Sequence, residues 1–288
     1  MVDSTVDVEK SDAAEAFGAL ADEDRIGILL ALWQSGSLSF VALQRSTGFE
    51  DSGRFNYHLN KLVDQFVTKA DDDYRLTPVG AKAVDLLLDA RFGQTPPPID
   101  EPTSTDCPEC NAVLHARYED GDIKLQCTDC EVLVHYGYFP PRGRTAREVD
   151  GFLDAYSQRL WREFTLAQKG VCPHCSSRMQ TTVDDDPDWY AHFAAKSTCE
   201  YCGAVVGSTL GLRLLADPDV VSFLADHDVH VDDCRFWMLD FCVDDSEVTV
   251  NSNLPRQYLL PIHMDRETLE VVVDDTATVV ETARRSPR

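Results

Sequence analysis

Hydrophobic positions recur at helical spacing through the first third of the chain and in shorter, strand-like runs through much of the rest. Asp12 to Leu20 reads as a first helix. Asp22 caps a second, and Glu23 and Asp24 suit the positive end of its dipole. Ile26, Leu29, Leu30 and Trp33 follow at i, i+3, i+4 and i+7, one buried face ended by Gly36. Ser39 caps a short third helix, Phe40 to Thr47, stopped by Gly48. Asp51 or Ser52 caps a fourth that runs to about Gln65, with Phe55, Leu59, Leu62 and Phe66 on one side. Strand patterns from Phe66 to Ala70 and from Tyr74 to Thr77 flank Asp71-Asp72-Asp73 and predict a hairpin. Thr77 and Pro78 open a fifth helix whose apolar residues are Ala83, Val84, Leu87 and Leu88.

Punctuation divides the chain. Residues 1–10 read as a disordered tail, 11–92 as the helical domain, and 93–105, with three consecutive prolines, as an extended linker. Two cysteine modules, 106–140 and 170–208, flank a helix over 144–168. That helix opens on Thr145-Ala-Arg-Glu148, a capping-box pattern. Val149, Phe152, Tyr156 and Leu160, extended by Trp161 and Phe164, make a stripe suited to a core or to a dimer interface. Residues 209–288 predict one helix from Asp217-Pro218 to about Asp226. Strands are expected at Phe236–Val243, Glu247–Asn251, Gln257–His263, Leu269–Val273 and Thr278–Ala283. The expected class is α+β: an N-terminal winged helix-turn-helix, the two cysteine modules, and an antiparallel α+β C-terminal region.

The cysteines supply the clearest chemistry. Eight of the ten form four C-x-x-C pairs: Cys107/Cys110, Cys127/Cys130, Cys172/Cys175 and Cys199/Cys202. Each pair delivers two sulfurs from one tight turn, and zinc takes four thiolates tetrahedrally. In the first module the sixteen residues between pairs hold Ala112–Tyr118, a turn at Glu119-Asp120-Gly121, and Asp122–Gln126, followed by a strand over Glu131–Tyr138. Asp-Gly is a strong hairpin signal, so this is a zinc-ribbon pattern. The second module has a longer insert, with a turn at Asp184–Pro187 before a Trp189–Ala194 strand. Two structural Zn2+ per chain are expected. His115, His135, His174 and His192 are bystanders in this reading, and Cys234 and Cys242 buried free thiols. Redox dithiols are the competing use of C-x-x-C.

The fourth helix suggests a partner. Arg54, Tyr57 and Lys61 lie opposite its apolar side, flanked by Asn56 and Asn60 on one edge and His58 on the other. Ser52 to Leu62 contains two bases and no acid. Arg, Asn and Lys read base edges in the major groove, and Tyr reaches phosphate. Helix, short turn and second helix are the spacing of a helix-turn-helix, and the hairpin stands where a wing would. Lys69 and Arg75 on the hairpin strands are candidate phosphate contacts.

Three stretches carry a family likeness. Phe17-Gly-Ala-Leu-Ala-Asp-Glu-Asp-Arg-Ile-Gly-Ile-Leu, Phe55-Asn-Tyr-His-Leu-Asn-Lys-Leu and Tyr74-Arg-Leu-Thr together resemble the opening, recognition helix and wing end of ArsR-type winged-helix transcription regulators. The whole chain resembles haloarchaeal regulators of this kind with a cysteine-bearing extension. The resemblance implies a homodimer on a palindromic double-stranded DNA operator. The cysteines that metal-sensing members carry before the recognition helix are missing from Phe40–Thr47, and the hairpin tip is triply acidic.

Charge modifies this picture. The chain has 50 acids against 26 bases, a net −24, with only seven lysines. At molar salt a Debye length of ~3 Å screens such self-repulsion, so the balance matches a salt-in halophile. No apolar run suits a membrane span and the acidic start is unlike a signal peptide, so a cytoplasmic, non-membrane protein is expected. GxSxG, P-loop, dinucleotide-turn and HExxH patterns are absent from the sequence, and no enzyme is expected. The expected function is sequence-specific transcriptional regulation, the C-terminal region serving dimerisation, a small ligand or the transcription machinery. A zinc-ribbon adaptor acting through protein contacts and a thiol-based metal or redox sensor are the alternatives.

Overall fold

The computed structural model describes residues 9–89, 96–185 and 191–286. They fall into two compact units, one within residues 7–94 and one within 95–288. Residues 1–8 of the expected tail lie outside the described residues, and Lys10 already belongs to a helix.

The N-terminal unit runs α1 (Lys10–Leu20), α2 (Glu23–Ser35), β1 (Ser37–Ser39), α3 (Phe40–Ser46), α4 (Ser52–Asn60), β2 (Val67–Ala70), β3 (Asp73–Leu76) and α5 (Pro78–Asp89). Its ends follow local chemistry. The Asp22, Ser39 and Asp51 side chains accept from the first-turn N–H groups of Arg25, Ala42, and Gly53 with Arg54. Gly36 and Gly48, at φ 78° and 74°, end α2 and the α3 segment where a side chain would be strained. The core joins Ile28, Leu29 and Leu32 of α2, Leu43 of α3, Phe55 and Leu59 of α4, and Leu62, Phe66, Val67 and Val84. The fourth helix ends at Asn60, five residues before the predicted Gln65, and the chain turns so that Leu62 and Phe66 still reach this core. The hairpin forms with Val67 opposite Leu76 and Ala70 opposite Asp73, and β1 adds beside β3.

The C-terminal unit begins with β4 (Ile99–Asp106), β5 (Val113–Glu119), β6 (Asp122–Cys127) and β7 (Leu133–Tyr138), an antiparallel sheet in that order. The linker expected over 93–105 is therefore corrected: most of its described part is β4, paired with β5. Pro102 is accommodated because β4 is an edge strand, where a missing N–H costs no ladder bond. The β5–β6 turn has Asp120 and Gly121 at φ 52° and 96°, as the Asp-Gly signal predicts.

Next come α6 (Pro141–Thr145) and α7 (Val149–Gln168). The capping box does not form. Thr145 lies inside α6 and its hydroxyl donates back to the Pro141 and Arg142 carbonyls, while Glu148 occupies the N-cap of α7 without a side-chain bond. A three-stranded meander follows, β8 (Met179–Asp184), β9 (Ala194–Cys199) and β10 (Val205–Thr209). Of the strand expected at 189–194, residues 189 and 190 lie outside the described residues, 191–193 are not strand, and Ala194 opens β9. The expected turn at Asp184–Pro187 runs into the same undescribed stretch. The chain continues through α8 (Leu210–Arg213), a 3-10 turn, α9 (Pro218–Ala225), a second 3-10 turn at Phe236–Met238 and α10 (Asp240–Val243). The strand expected over Phe236–Val243 is thus helical. Both of its faces are buried in places, which an isolated apolar run cannot distinguish from a strand. β11 (Thr249–Asn253), β12 (Arg256–Met264), β13 (Glu267–Asp274) and β14 (Val279–Arg285) form a final antiparallel meander.

One continuous core joins all these parts. Tyr118, Phe139, Phe152, Tyr156, Phe164, Trp237, Tyr258 and Val271 belong to the same buried cluster as cysteines of both modules. α7 is its spine, with seven buried residues from Phe152 to Ala167. Its stripe is therefore core. Thr105 donates to the Trp237 carbonyl at 2.6 Å, the Val183 N–H to Asp275 at 2.9 Å, and Gln168 to Ala277 at 2.8 Å, tying distant segments together. Gly211 of α8 allows α10 close: a Cβ there would lie 1.7 Å from the Phe241 carbonyl oxygen. Among the described residues no helix is long and apolar enough to cross a membrane.

Candidate metal centres and nucleic-acid interface

Each C-x-x-C pair sits on the same local frame. In three of the four, the first cysteine's carbonyl accepts from the N–H four residues on: Asn111 to Cys107, Ser176 to Cys172 and Gly203 to Cys199. In all four, the first cysteine's N–H donates to the carbonyl five residues on, in Ala112, Val132, Ser177 and Ala204. The residue after each second cysteine is left-handed: Asn111, Glu131, Ser176 and Gly203, at φ 60°, 63°, 61° and 72°. This reversal points both sulfurs of a pair the same way. Sequence reading missed it, although Asn and Gly at two of the positions are its usual signature.

Pairs then meet across each meander. Cys107 and Cys130 sulfurs are 3.6 Å apart and Cys110 and Cys127 3.4 Å. In the second module Cys172–Cys202 is 3.7 Å and Cys175–Cys199 3.5 Å. The four sulfurs of each cluster all lie within 4.8 Å of one another. Zn–S bonds of ~2.3 Å require tetrahedral S···S edges of ~3.8 Å, so both clusters fit a tetrahedral thiolate-bound ion.

The sulfurs of each cluster differ in acidity. The backbone N–H of Cys130, then that of Asp129, holds the Cys127 thiol down at about 7. The N–H of Cys202 does the same for Cys199, at about 6. The N–H groups of Ala112 and Ala204 favour the thiolates of Cys110 and Cys202, but neighbouring sulfurs and desolvation outweigh them and push both to about 12. Four thiolates together require the positive charge that a metal ion supplies. Two tetracysteine clusters that can hold metal ions are thus present, one per module.

The histidines near the modules stand apart from both clusters among the described groupings. His135 is buried between Tyr156, Phe164 and Phe236, and burial lowers its pKa to about 4. Arg213 is 3% exposed and has no carboxylate partner among the described residues. It donates to Ser208 Oγ and to the Ala195 and Val206 carbonyls beneath the Phe164 ring, and burial lowers it to about 10. Cys242 is buried and Cys234 partly so, in keeping with unligated thiols.

On α4, Arg54, Asn56, Tyr57 and Asn60 are exposed, as is Lys61 just beyond its end. The Lys61 ammonium stands over the Tyr57 ring at 5.9 Å, and Arg54 pairs with Asp24 of α2. Lys69, over the Tyr74 ring at 5.7 Å, and Arg75 are exposed on the hairpin. His58 departs from expectation. It is only 8% exposed and faces Asp22 and Asp24, because 55, 58, 59 and 62 are the i, i+3, i+4 and i+7 positions of the buried face. His58 is therefore withdrawn from the candidate DNA contacts.

Comparison with known families matches the division into units. Residues 104–279 match the family described as Domain of unknown function (DUF7351), and the chain belongs to that family. Residues 13–87 match a second, Domain of unknown function (DUF7347). No curated protein matches the chain. No solved structure matches it either.

Proposed function

We propose that the chain is a sequence-specific DNA-binding transcriptional regulator, its N-terminal unit an ArsR-like winged helix-turn-helix and its C-terminal unit a scaffold carrying two structural zinc ions. The observation that carries this reading is the exposed face of α4. Arg54, Asn56, Tyr57, Asn60 and Lys61 project from one face along Ser52–Leu62, a stretch that contains no acid in a chain of net charge −24. The α3–turn–α4 succession and the β2–β3 hairpin support it. In this reading α4 enters the major groove, Arg54 and the two asparagines contact base edges, and Tyr57, Lys61, Lys69 and Arg75 contact phosphates. A homodimer would double the contact over two half-sites.

Zinc is the ion proposed for both clusters, since four-cysteine sets in matched ribbon-like meanders are its structural sites. The zinc ions would fix the knuckles on the α7 core, leaving that unit to bind a second copy, a ligand or the transcription machinery. The test is selection of bound duplexes from a random library by the full chain. Enrichment of an inverted repeat supports the reading; a pool without any enriched sequence rejects it.

A further inference from the structure

His58 raises a second question. Asp22 is the N-cap of α2, Asp24 lies in its first turn, and His58 comes from α4. An imidazole nitrogen and one oxygen from each carboxylate lie within 4.8 Å of one another. His58 Nδ1 is 3.4 Å from Asp22 Oδ1, and Nε2 is 3.6 Å from Asp24 Oδ2. Acids at a helix start are ordinary. A buried imidazole aimed between them is not: His58 Nδ1 is sealed from solvent, and among the described residues no group, Asp22 at 3.4 Å included, meets it with hydrogen-bond geometry. A core histidine normally satisfies both ring nitrogens.

We propose that Asp22, Asp24 and His58 bind a divalent first-row transition ion, a site separate from the two cysteine clusters. Two carboxylates and a neutral imidazole balance a 2+ charge. One nitrogen and two oxygens suit zinc, cobalt or manganese better than a thiophilic ion. Three protein ligands leave a position for water, as at an open site.

This site meets the candidate recognition face at one atom. Asp24 Oδ2 faces His58 Nε2 and also pairs with Arg54. An ion on Oδ2 neutralises the charge that holds Arg54, so ion and guanidinium compete for Asp24. Coupling of this kind is reciprocal: whatever frees Arg54 strengthens the ion, and the ion frees Arg54. Release of Arg54 toward DNA rests on the function proposed above; the metal site and the competition do not.

The experiment uses the full chain with both cysteine clusters loaded with zinc. Co2+ is added while calorimetric heat and visible absorption are followed. One further ion per chain is expected, with the weak bands of an oxygen–nitrogen site and no added sulfur charge transfer. Asp24→Asn and His58→Ala should weaken it at least tenfold, and Arg54→Ala should tighten it several-fold. Asp24→Asn alters a partly exposed side chain, so it reports on the site even if His58→Ala loosens the fold. No uptake beyond the two zinc ions, or equal uptake by Asp24→Asn, would overturn the site. An unchanged affinity in Arg54→Ala would overturn the competition. None of these readouts requires DNA, so loss of DNA binding and loss of the ion are separately visible.

Discussion

Replacing Cys127 by Ser tests whether the cysteine modules are independent beads or parts of one structure. Cys127 is buried, its sulfur lies 3.4 Å from that of Cys110, and it accepts the Asp129 N–H at 3.4 Å. Serine supplies a shorter, harder ligand with a far higher pKa, so the four-thiolate set is lost. Structural zinc contributes about 10–16 kcal/mol to small zinc-dependent folds. A typical domain has a net stability of about 5–15 kcal/mol. Losing even half of the metal's contribution, roughly 5 kcal/mol or more, is therefore comparable with the whole stability of the unit. The damage should spread, because Cys127, Cys172, Cys199, Trp237 and Val271 share one core. Hydrogen exchange followed by peptide mass spectrometry should show lost protection in α7, in β8–β10 and in β12–β13, as well as around the mutated cluster. Residues 10–89 should keep theirs, since their core is their own. Loss of protection confined to residues 106–140, with β8–β13 unchanged, would refute the single-core argument.

Other expectations follow from buried polar groups and from charge. The Tyr156 hydroxyl is sealed without a hydrogen-bond partner among the described residues, so Tyr156→Phe should leave the protein equally stable or more stable by roughly 1 kcal/mol, read from urea midpoints. His135 is held neutral, with its pKa near 4 against about 6.5 when unfolded. Between those values the unfolded chain binds the extra proton, so stability is lost as pH falls from 6.5 toward 4, by up to roughly 3 kcal/mol. His135→Phe should flatten that part of the pH profile relative to wild type; an unaltered profile would contradict the burial argument. Few lysines and the acidic hairpin tip predict a shallow dependence of DNA affinity on salt. It should correspond to roughly 2–4 phosphate contacts per subunit, and a slope near −8 per dimer in a KCl titration would exclude this.

Much of the local architecture was legible because it is encoded locally. Asp22, Ser39 and Asp51 cap the helices they were assigned, Asp120-Gly121 turns the hairpin, and the cysteine spacing foretold two clusters. What escaped depends on distant partners. Ile99–Asp106 becomes a strand only because β5 offers an edge, a pairing that Pro102 and the three prolines before Ile99 conceal. Phe236–Val243 turns helical under packing from α8 and α7, where alternation in the sequence carries no information about either neighbour. The cysteine clusters share a core through α7, and no spacing rule connects segments so far apart. His58 is a different case. Helical phase places it beside Phe55, Leu59 and Leu62, and its polarity drew it wrongly to the surface. The same burial is what now makes it interesting.

The central claim is that the exposed face of α4 reads DNA. It is tested most directly by fluorescence anisotropy on the inverted repeat selected by the full chain, comparing wild type with Arg54→Ala/Lys61→Ala. Both side chains are solvent-exposed, so fold and zinc content should be unchanged, as circular dichroism and metal analysis would show. A bidentate base contact contributes about 1–3 kcal/mol of discrimination, so the double variant should bind at least tenfold more weakly and lose preference for the selected repeat over unrelated duplex. Equal affinity and equal preference in wild type and variant would contradict the account.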